Sequence, residues 1–354
     1  MRATSLRATA EALVAPGKGI LAADESHPTM AKRLAQIGLE SAEAVRRTYR
    51  EMLFTAPGLE QHISGVILFD ETLRQRATDG TPLPHVLARG GIIPGIKVDL
   101  GITPLAGFPD EVVTEGLDGL RSRLEEYAGM GARFAKWRAV FRIGPALPTV
   151  GCIEANAHGL ARYAALSQEA GLVPIVEPEL LMEGTHSIGR CAAATDAVLR
   201  AVYAHLARQR VVLDGTLLKP SMVLPGTDSG DQVDDGEIAA RTLAVLQDTV
   251  PASVPGIVFL SGGQSPEQAT ARLDALNRCG PQPWQLSFSF GRALQAPVLQ
   301  AWGGRQENAP DAQDALLERA RLSSTARDGR YRSDLEDSRR TAVGAVVHDV
   351  TSRP

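Results

Sequence analysis

Short apolar runs alternate with segments of helical periodicity along most of this chain. Each run has the length of a buried strand and is bounded by polar residues, proline or glycine. The runs lie at residues 19–24, 64–70, 92–99, 132–141, 172–177, 211–219, 256–261 and 285–290. The alternation predicts parallel strands with crossover helices, and eight repeats of it fit a closed barrel.

The segments between the runs carry recognisable helix ends. Ser265, Pro266 and Gln268 predict a capping box with proline at the start of a helix. The predicted helices lie at residues 41–54, 116–128, 159–170, 191–208, 237–249, 265–277 and 311–323. We expect one α/β domain over residues 1–354, a single (β/α)8 TIM barrel. It has an N-terminal helix within residues 1–16 and a C-terminal helix and tail from about residue 305.

Composition narrows the class of protein. The net charge of −4, without a concentrated basic patch, argues against a nucleic-acid partner. No apolar run reaches the ~18 residues of a membrane span, so we expect no membrane partner. The three cysteines are odd in number and widely spaced, which indicates reduced thiols and a cytoplasmic location. The histidines show no metal-ligand spacing, so we expect no metal and no cofactor.

Lysine is rare in this chain, and most of the lysines stand at or near the ends of apolar runs. The chain has 37 Lys and Arg residues together, of which only Lys18, Lys32, Lys97, Lys136 and Lys219 are lysines. Three of these five stand at or near the ends of apolar runs. A buried ammonium must be paired or must give up its proton, and lysine can do the second whereas arginine cannot. The alternative is an ammonium that simply reaches water at a strand end.

Charged side chains collect where the predicted strands end, which is where barrel enzymes carry their chemistry. Several stand two residues apart and therefore point to the same side of a strand. They are Asp24, Asp70, Lys97, Asp99, Lys136, Arg138, Glu177, Glu179, Lys219 and Arg292. Each carboxylate alone is explained by solvation or a salt bridge. Together, lysines and carboxylates at one mouth are typical of an amine nucleophile with a proton shuttle, and hence of an imine with a ketone or aldehyde.

Two turns after the seventh and eighth runs predict a phosphate site. Ser261-Gly262-Gly263 precedes the capped helix, and Gly291-Arg292 follows the last run. Glycine lets backbone N–H groups approach an anion, and a helix N-terminus favours negative charge. Arg292 can bind a phosphate through two N–H groups. Barrel enzymes commonly bind phosphate at these two loops.

With these residues in place, the chain resembles the class I fructose-1,6-bisphosphate aldolases. The resemblance spans roughly residues 17–304. It is carried by GKGILAADES at residues 17–26, PGIKVD at 94–99, FAKWR at 134–138, VPIVEPE at 173–179, GTLLKP at 215–220, FLSGGQS at 259–265 and GRALQA at 291–296. It implies a barrel that reversibly cleaves fructose 1,6-bisphosphate to dihydroxyacetone phosphate and glyceraldehyde 3-phosphate in glycolysis and gluconeogenesis. It also implies a metal-independent enzyme, a sugar-phosphate substrate and a homotetramer.

The resemblance assigns roles by motif. Lys219 would form the Schiff base, and Glu177 would act as acid and base for carbinolamine dehydration and for the C4 hydroxyl. Asp24 and Lys136 would orient the hydroxyls at the bond that breaks, with Glu179 and Arg138 in support. The residues implied for the C1 phosphate are Ser261, Gly262, Gly263, Gly291 and Arg292, and those for the other phosphate are Ser26, Thr29, Arg33 and Lys97.

Four departures from the family pattern stand out. Thr29 replaces a usual serine, Leu100 replaces a frequent lysine, and Asp214 replaces a longer glutamate. The chain also lacks a terminal tyrosine. Its last tyrosine is Tyr331. We expect the enamine to take its proton from water or the barrel mouth, and the alternative donor near the end of the chain is His348.

Two other functions remain open on the sequence. A transaldolase also uses an imine lysine on a barrel, although two phosphate-handling regions favour a bisphosphate substrate. A catalytically silent scaffold would keep the fold and bind partners, but the intact set of Asp24, Lys136, Glu177 and Lys219 disfavours it. The preference between fructose 1,6-bisphosphate and fructose 1-phosphate also stays open.

Overall fold

Eight parallel strands close into a barrel in this computed structural model, which describes residues 2–336. Strand β1 pairs with β2 on one side and with β10 on the other, and this seam closes the barrel in the order β1-β10-β9-β8-β7-β6-β3-β2. A small antiparallel hairpin, β4–β5, lies outside the barrel. The strands are β1 (Gly19–Ala23), β2 (Ile63–Leu68), β3 (Ile93–Lys97), β4 (Ile102–Pro104), β5 (Val112–Thr114), β6 (Phe134–Phe141), β7 (Val173–Leu180), β8 (Leu217–Leu218), β9 (Gly256–Phe259) and β10 (Gln285–Phe290).

The predicted barrel is confirmed, and helices surround it. They are α1 (Arg2–Leu13), α2 (His27–Ala35), α3 (Glu43–Phe54), α4 (Asp70–Arg74), α5 (Leu83–Arg89), α6 (Leu120–Gly129), α7 (Val150–Glu169), α8 (Ile188–Arg208), α9 (Asp235–Thr249), α10 (Pro266–Arg278), α11 (Arg292–Trp302) and α12 (Ala309–Arg327). Ser265 and Gln268 form the predicted capping box of α10. Helix α7 begins well before residue 159, because the Thr149 side chain accepts a hydrogen bond from the Cys152 N–H and caps it there.

Two predictions about strand ends were wrong. Only Leu217–Leu218 of the expected strand 211–219 is a strand, and a 3-10 turn at Leu213–Gly215 precedes it. The Gln168 side chain holds this turn by bonding the backbone of Val212, as acceptor at 2.9 Å and as donor at 2.8 Å. Asp70 opens α4, where it accepts a hydrogen bond from the Tyr127 hydroxyl at 2.8 Å instead of facing the barrel mouth.

The barrel interior is filled by one apolar cluster that α1 closes at the N-terminal ends of the strands. Its members include Leu6 and Leu13 of α1 with Phe134, Ile175 and Leu217 of the strands. Burying each such side chain stabilises the fold by roughly 1.5–3 kcal/mol. Since side chains alternate along a strand, the residue two positions further on points to the same interior. The resulting pairs are Ala22 with Asp24, Phe134 with Lys136, Ile175 with Glu177, and Leu217 with Lys219.

No helix within residues 2–336 is long and apolar enough to cross a bilayer.

Candidate active site

A cavity of about 1100 Å³ opens at the C-terminal ends of the barrel strands. Every residue to which the family resemblance assigns a role lies on its wall, except Gly263. These residues are Asp24, Ser26, Thr29, Arg33, Lys97, Lys136, Arg138, Glu177, Glu179, Lys219, Ser261, Gly262, Gly291 and Arg292. The structure therefore brings together side chains that come from seven of the eight barrel strands or the loops that follow them.

Glu177 lies between two lysines on the cavity floor. Its Oε1 is 3.1 Å from Lys219 Nζ, and its Oε2 is 3.0 Å from Lys136 Nζ. Lys136 Nζ also lies 2.7 Å from Asp24 Oδ2. Two cations thus meet two carboxylates, and this mutual pairing compensates the desolvation that burial imposes on each charge.

The charges set the protonation states in the free protein. Burial alone would raise the pKa of Asp24 and of Glu177, but Lys136 and Lys219 outweigh it, and both pKa values lie below their usual range. Burial would lower the pKa of Lys136, but Asp24 and Glu177 raise it well above the usual lysine value. Lys136 therefore stays protonated and acts as the fixed cation beside Glu177.

A second row of ion pairs surrounds this centre. Arg138 pairs with Glu179, and Lys97 Nζ lies 2.6 Å from Asp99 Oδ1 while it donates a hydrogen bond to the Asp99 carbonyl. Burial opposes the charge of Arg138, but Glu179 outweighs it and raises the arginine pKa. Lys97 is thus held by Asp99 at the mouth, where the family resemblance places a phosphate.

The two glycine turns have the geometry that an anion site requires. Gly263 has φ +73° and shapes the turn behind the cavity wall, while Gly262 lines the wall itself. Because glycine has no side chain, the backbone at Gly262 is open to the cavity. Arg292 is the first residue of α11 and, within the described chain, makes no hydrogen bond or ion pair. Its guanidinium is free for a ligand.

Helix α2 forms the neighbouring part of the wall, because it follows β1, which pairs with β10. The Ser26 and Thr29 hydroxyls lie 3.1 Å apart at its N-terminus, and Arg33 one turn later pairs with Glu25. Lys32 and Gln36 also line the cavity and were missed by the sequence prediction. Their helical spacing of three and seven residues from Thr29 was the signal that could have revealed them.

Ser289 is a third residue that the sequence prediction missed. It lines the cavity at the end of β10, is buried, and its hydroxyl has no hydrogen-bond partner within residues 2–336. A buried hydroxyl without a partner costs free energy, which suits a group that meets its partner only when a ligand binds. Because side chains alternate along a strand, Ser289 points to the same side of β10 as Ser287, and this pattern could have placed it on the inward face.

Of the residues that depart from the family pattern, some lie at the cavity and others lie elsewhere in the structure. Leu100 is 69% exposed on the cavity rim, so the apolar replacement faces the substrate entrance. Asp214 lies in the turn before β8 and lines a separate pocket with Arg7 and Glu11, so it does not belong to the site. The Tyr331 hydroxyl donates a hydrogen bond to Glu336 at 2.8 Å, and burial together with Glu336 raises its pKa. His348 lies outside the described residues.

Metal-binding clusters are not a feature of the described chain. Within residues 2–336, no group of three or more His, Cys, Asp or Glu side chains has an arrangement that could hold a metal ion. What the geometry offers is a buried lysine in contact with a carboxylate, a second fixed cation, and two turns suited to anions. These features define the class of barrel enzymes that handle a phosphorylated carbonyl compound through a lysine amine.

Comparisons with known proteins agree with this class. The family model "Fructose-bisphosphate aldolase class-I" matches residues 5–349. A cytoplasmic aldolase isozyme of Cicer arietinum is 55% identical over 331 residues, which cover 93% of this chain and 92% of that protein. Cytosolic fructose-bisphosphate aldolase 6 of Arabidopsis thaliana is 53% identical over 348 residues, or 98% and 97% of the two chains.

A solved structure shows the same fold. The fructose-bisphosphate aldolase of Plasmodium falciparum, in a complex with TRAP and a small-molecule inhibitor, superposes with a TM-score of 0.93. It is 48% identical, and the match covers 94% of this chain and 96% of that one. The chain belongs to the class I fructose-bisphosphate aldolase family, and its activity is the lyase reaction of that family.

Proposed function

We propose that this chain cleaves fructose 1,6-bisphosphate through a Schiff base on Lys219. The observation that carries the proposal is the contact of 3.1 Å between the Lys219 amine and the Glu177 carboxylate on the floor of the cavity. A nucleophilic amine needs a proton donor and acceptor at this distance both to form the imine and to release it. The nearby cation Lys136 keeps Glu177 ionised in the free protein.

The reaction consists of imine formation, cleavage of the C3–C4 bond and hydrolysis of the imine, each with its own proton transfer. Lys219 first passes a proton to Glu177, across their contact of 3.1 Å. The neutral amine then adds to the C2 carbonyl, and Glu177 returns that proton to the carbinolamine oxygen, which leaves as water. The cationic imine accepts the electron pair of the C3–C4 bond while the Glu177 carboxylate takes the proton of the C4 hydroxyl. The aldehyde leaves, water protonates the enamine at C3, and the hydroxide that remains adds to the imine. The resulting carbinolamine releases dihydroxyacetone phosphate, and Glu177 returns its proton to the Lys219 amine. Asp24 and Lys136, in contact at 2.7 Å, orient the hydroxyls of the breaking bond.

The two phosphates occupy different parts of the cavity wall. Ser261, Gly262, Gly263, Gly291 and Arg292 form the site of the C1 phosphate, which is supported by the free guanidinium of Arg292 and the open backbone at Gly262. Ser26, Thr29, Arg33 and Lys97 serve the C6 phosphate, with Glu179 and Arg138 as a supporting pair. Because Lys97 and Arg33 are each paired with a carboxylate, a C6 phosphate must compete with Asp99 and Glu25 for them.

The same proposal extends to the whole protein. Residues 1–354 form one barrel domain with an N-terminal helix and a C-terminal helix and tail, and the protein works as a cytoplasmic homotetramer without cofactor. The cytosolic or cytoplasmic names of the plant relatives support the location. The tetramer rests on the family resemblance.

The test is a cleavage assay with fructose 1,6-bisphosphate and no added aldehyde acceptor, before and after exhaustive chelation. The imine acts as the electron sink, so a Lewis-acid metal would be redundant, and we expect equal rates in both conditions. A requirement for an aldehyde acceptor would indicate a transaldolase. Loss of activity on chelation, with recovery on adding zinc, would indicate a metal-dependent aldolase instead.

A further inference from the structure

A polar cluster lies at the seam where β1 meets β10, beside the cavity wall. Its centre is Gln295, which is 0% exposed in the first turn of α11. The Gln295 amide donates hydrogen bonds from Nε2 to the Ala22 carbonyl at 2.7 Å and to Glu25 Oε1 at 2.8 Å. Its Oε1 accepts a hydrogen bond from Arg50 Nη1 at 3.3 Å. Gln295 therefore uses both of its N–H donors and one lone pair of its carbonyl oxygen within the protein.

These contacts attach the phosphate-binding turn to the end of β1. Gln295 N donates a backbone hydrogen bond to the Gly291 carbonyl at 3.0 Å, so the two residues belong to one helical turn. The Ala22 carbonyl, which the Gln295 side chain holds, would lie only 3.3 Å from a Cβ at Gly291. The strand pairing of Leu21 with Phe290 ends just before Gly291, and beyond it this amide links the Gly291-Arg292 turn to Ala22 near the end of β1, two residues before Asp24.

The cluster also reaches the neighbouring helix α2. Glu25 accepts hydrogen bonds from Arg33 of α2, from Arg50 of α3 and from Gln295 of α11. Burial of its side chain opposes ionisation, but the two arginines outweigh it and lower the pKa of Glu25. The carboxylate is therefore a fixed negative charge that links these three helices.

We propose that Gln295 is a positioning residue that sets the orientation of the Gly291-Arg292 turn and thereby the affinity for the C1 phosphate. The inference rests on the function proposed above. Gln295 does not line the cavity, so it acts on the substrate only through the residues that it holds. Gln295→Met keeps the length and burial of the side chain but leaves the Ala22 carbonyl and one Glu25 oxygen short of a donor. We expect about a tenfold higher KM for phosphorylated substrates and a kcat within about threefold of wild type.

The experiment compares Gln295→Met with Gln313→Met. Gln313 makes the same kind of contact on α12, where it donates to the Met52 carbonyl at 2.9 Å and to Thr55 Oγ1, away from the cavity. Three probes are used on both variants and on wild type. They are the KM for fructose 1,6-bisphosphate, the inhibition constant of inorganic phosphate, and borohydride trapping of dihydroxyacetone, which carries no phosphate.

The expected pattern is specific to phosphate. Gln295→Met raises the KM and the inhibition constant of inorganic phosphate together, whereas trapping of dihydroxyacetone stays within about twofold of wild type. Gln313→Met changes none of the three. Should Gln295→Met not fold, Gln295→Asn keeps the amide, withdraws it by one methylene, and is expected to shift the same two constants in the same direction.

Unchanged phosphate constants in the folded variant, or an equal loss with dihydroxyacetone, would overturn the positioning role. Wild-type protein that cannot be trapped with dihydroxyacetone phosphate would instead overturn the proposed function and the inference with it.

Discussion

Nζ of Lys219 lies 3.1 Å from Oε1 of Glu177, and both side chains are buried below the barrel mouth. The contact joins a potential nucleophile to the group that can move its protons. It arises from two neighbouring strands, because β7 pairs with β8 through Ile175–Leu217 and Val176–Leu218. Glu177 and Lys219 each follow an inward-facing residue of that pairing by two positions.

Glu177→Gln should therefore slow the reaction without removing the nucleophile. The amide keeps the shape of the side chain but can neither donate nor accept the proton of carbinolamine dehydration. We expect kcat to fall by about 10²- to 10⁴-fold. Stopped-flow measurement of cleavage, with borohydride trapping as a function of time, would show slow formation of the adduct on Lys219. A decrease below about tenfold would assign proton transfer to another group.

The two ends of the cavity should respond differently to loss of a cation. Arg292→Ala removes a charge-assisted phosphate contact worth ~1.5–3 kcal/mol, or about 10- to 150-fold in binding of any substrate with a C1 phosphate. Lys97→Ala should weaken fructose 1,6-bisphosphate more than fructose 1-phosphate, which has no phosphate at C6. The measurement is kcat/KM for both sugars with each variant. An equal decrease in kcat/KM for both sugars in Lys97→Ala would show that Lys97 does not bind the C6 phosphate.

Ser289→Ala should lower the activity without lowering the stability of the protein. Its buried hydroxyl has no partner in the described chain, so removal should leave the free energy of unfolding unchanged or raise it by up to ~1–3 kcal/mol. The kcat/KM should fall by about 2- to 10-fold, because a substrate oxygen loses its partner.

Two serines serve as controls for Ser289. Ser324 of α12 is also buried, and its hydroxyl has no partner among residues 2–336. Ser324→Ala should affect stability in the same way with no change in kcat/KM. Ser287 donates to the Lys18 carbonyl at 2.8 Å, so Ser287→Ala should lose stability. A Ser289→Ala variant that loses stability as Ser287→Ala does, or that keeps full activity, would contradict the assignment. Urea unfolding and steady-state kinetics provide both readouts.

Acid stability should depend on Asp24. Burial opposes its ionisation, but Lys136 and Lys219 lower its pKa in the folded protein below the value in the unfolded chain, which is about 3.9. A group with a lowered folded pKa stabilises the protein above the unfolded pKa, and that contribution disappears as the pH falls towards the folded pKa.

Asp24→Asn should therefore be markedly less stable than wild type at pH 7, because it leaves Lys136 short of a counter-charge. The difference should shrink as the pH falls from about 4 to 3, where wild type begins to lose its own contribution. Urea unfolding of both proteins at each pH gives the free energies. A difference that stays constant from neutral to acid would show that Asp24 is not held ionised by the lysines.

Much of the site could be predicted because side chains alternate between the two faces of each strand. Lysines and carboxylates at the ends of apolar runs share the inward face with the residues two positions earlier, so their convergence follows once a barrel is expected. The prediction failed at Asp70 because a helix begins directly at that residue. It failed at residues 211–216 because contacts with Gln168, distant in sequence, determine that turn.

Other residues were missed because the sequence prediction selected charged strand ends. Ser289 is neutral, and only the three-dimensional structure shows that its hydroxyl lacks a partner. Lys32 and Gln36 lie on a helix whose orientation towards the cavity depends on packing of α2 against the barrel. Gln295 reads in the sequence as an ordinary helical residue, and its role emerges only from contacts with Ala22, Glu25 and Arg50.

The most direct test is borohydride reduction in the presence of dihydroxyacetone phosphate, followed by peptide mapping. We predict one reduced adduct per chain, located on Lys219. Lys219→Arg should abolish the adduct, because a guanidinium that remains protonated cannot attack a carbonyl. An adduct on Lys136, with Lys219 unmodified, would contradict the proposed mechanism.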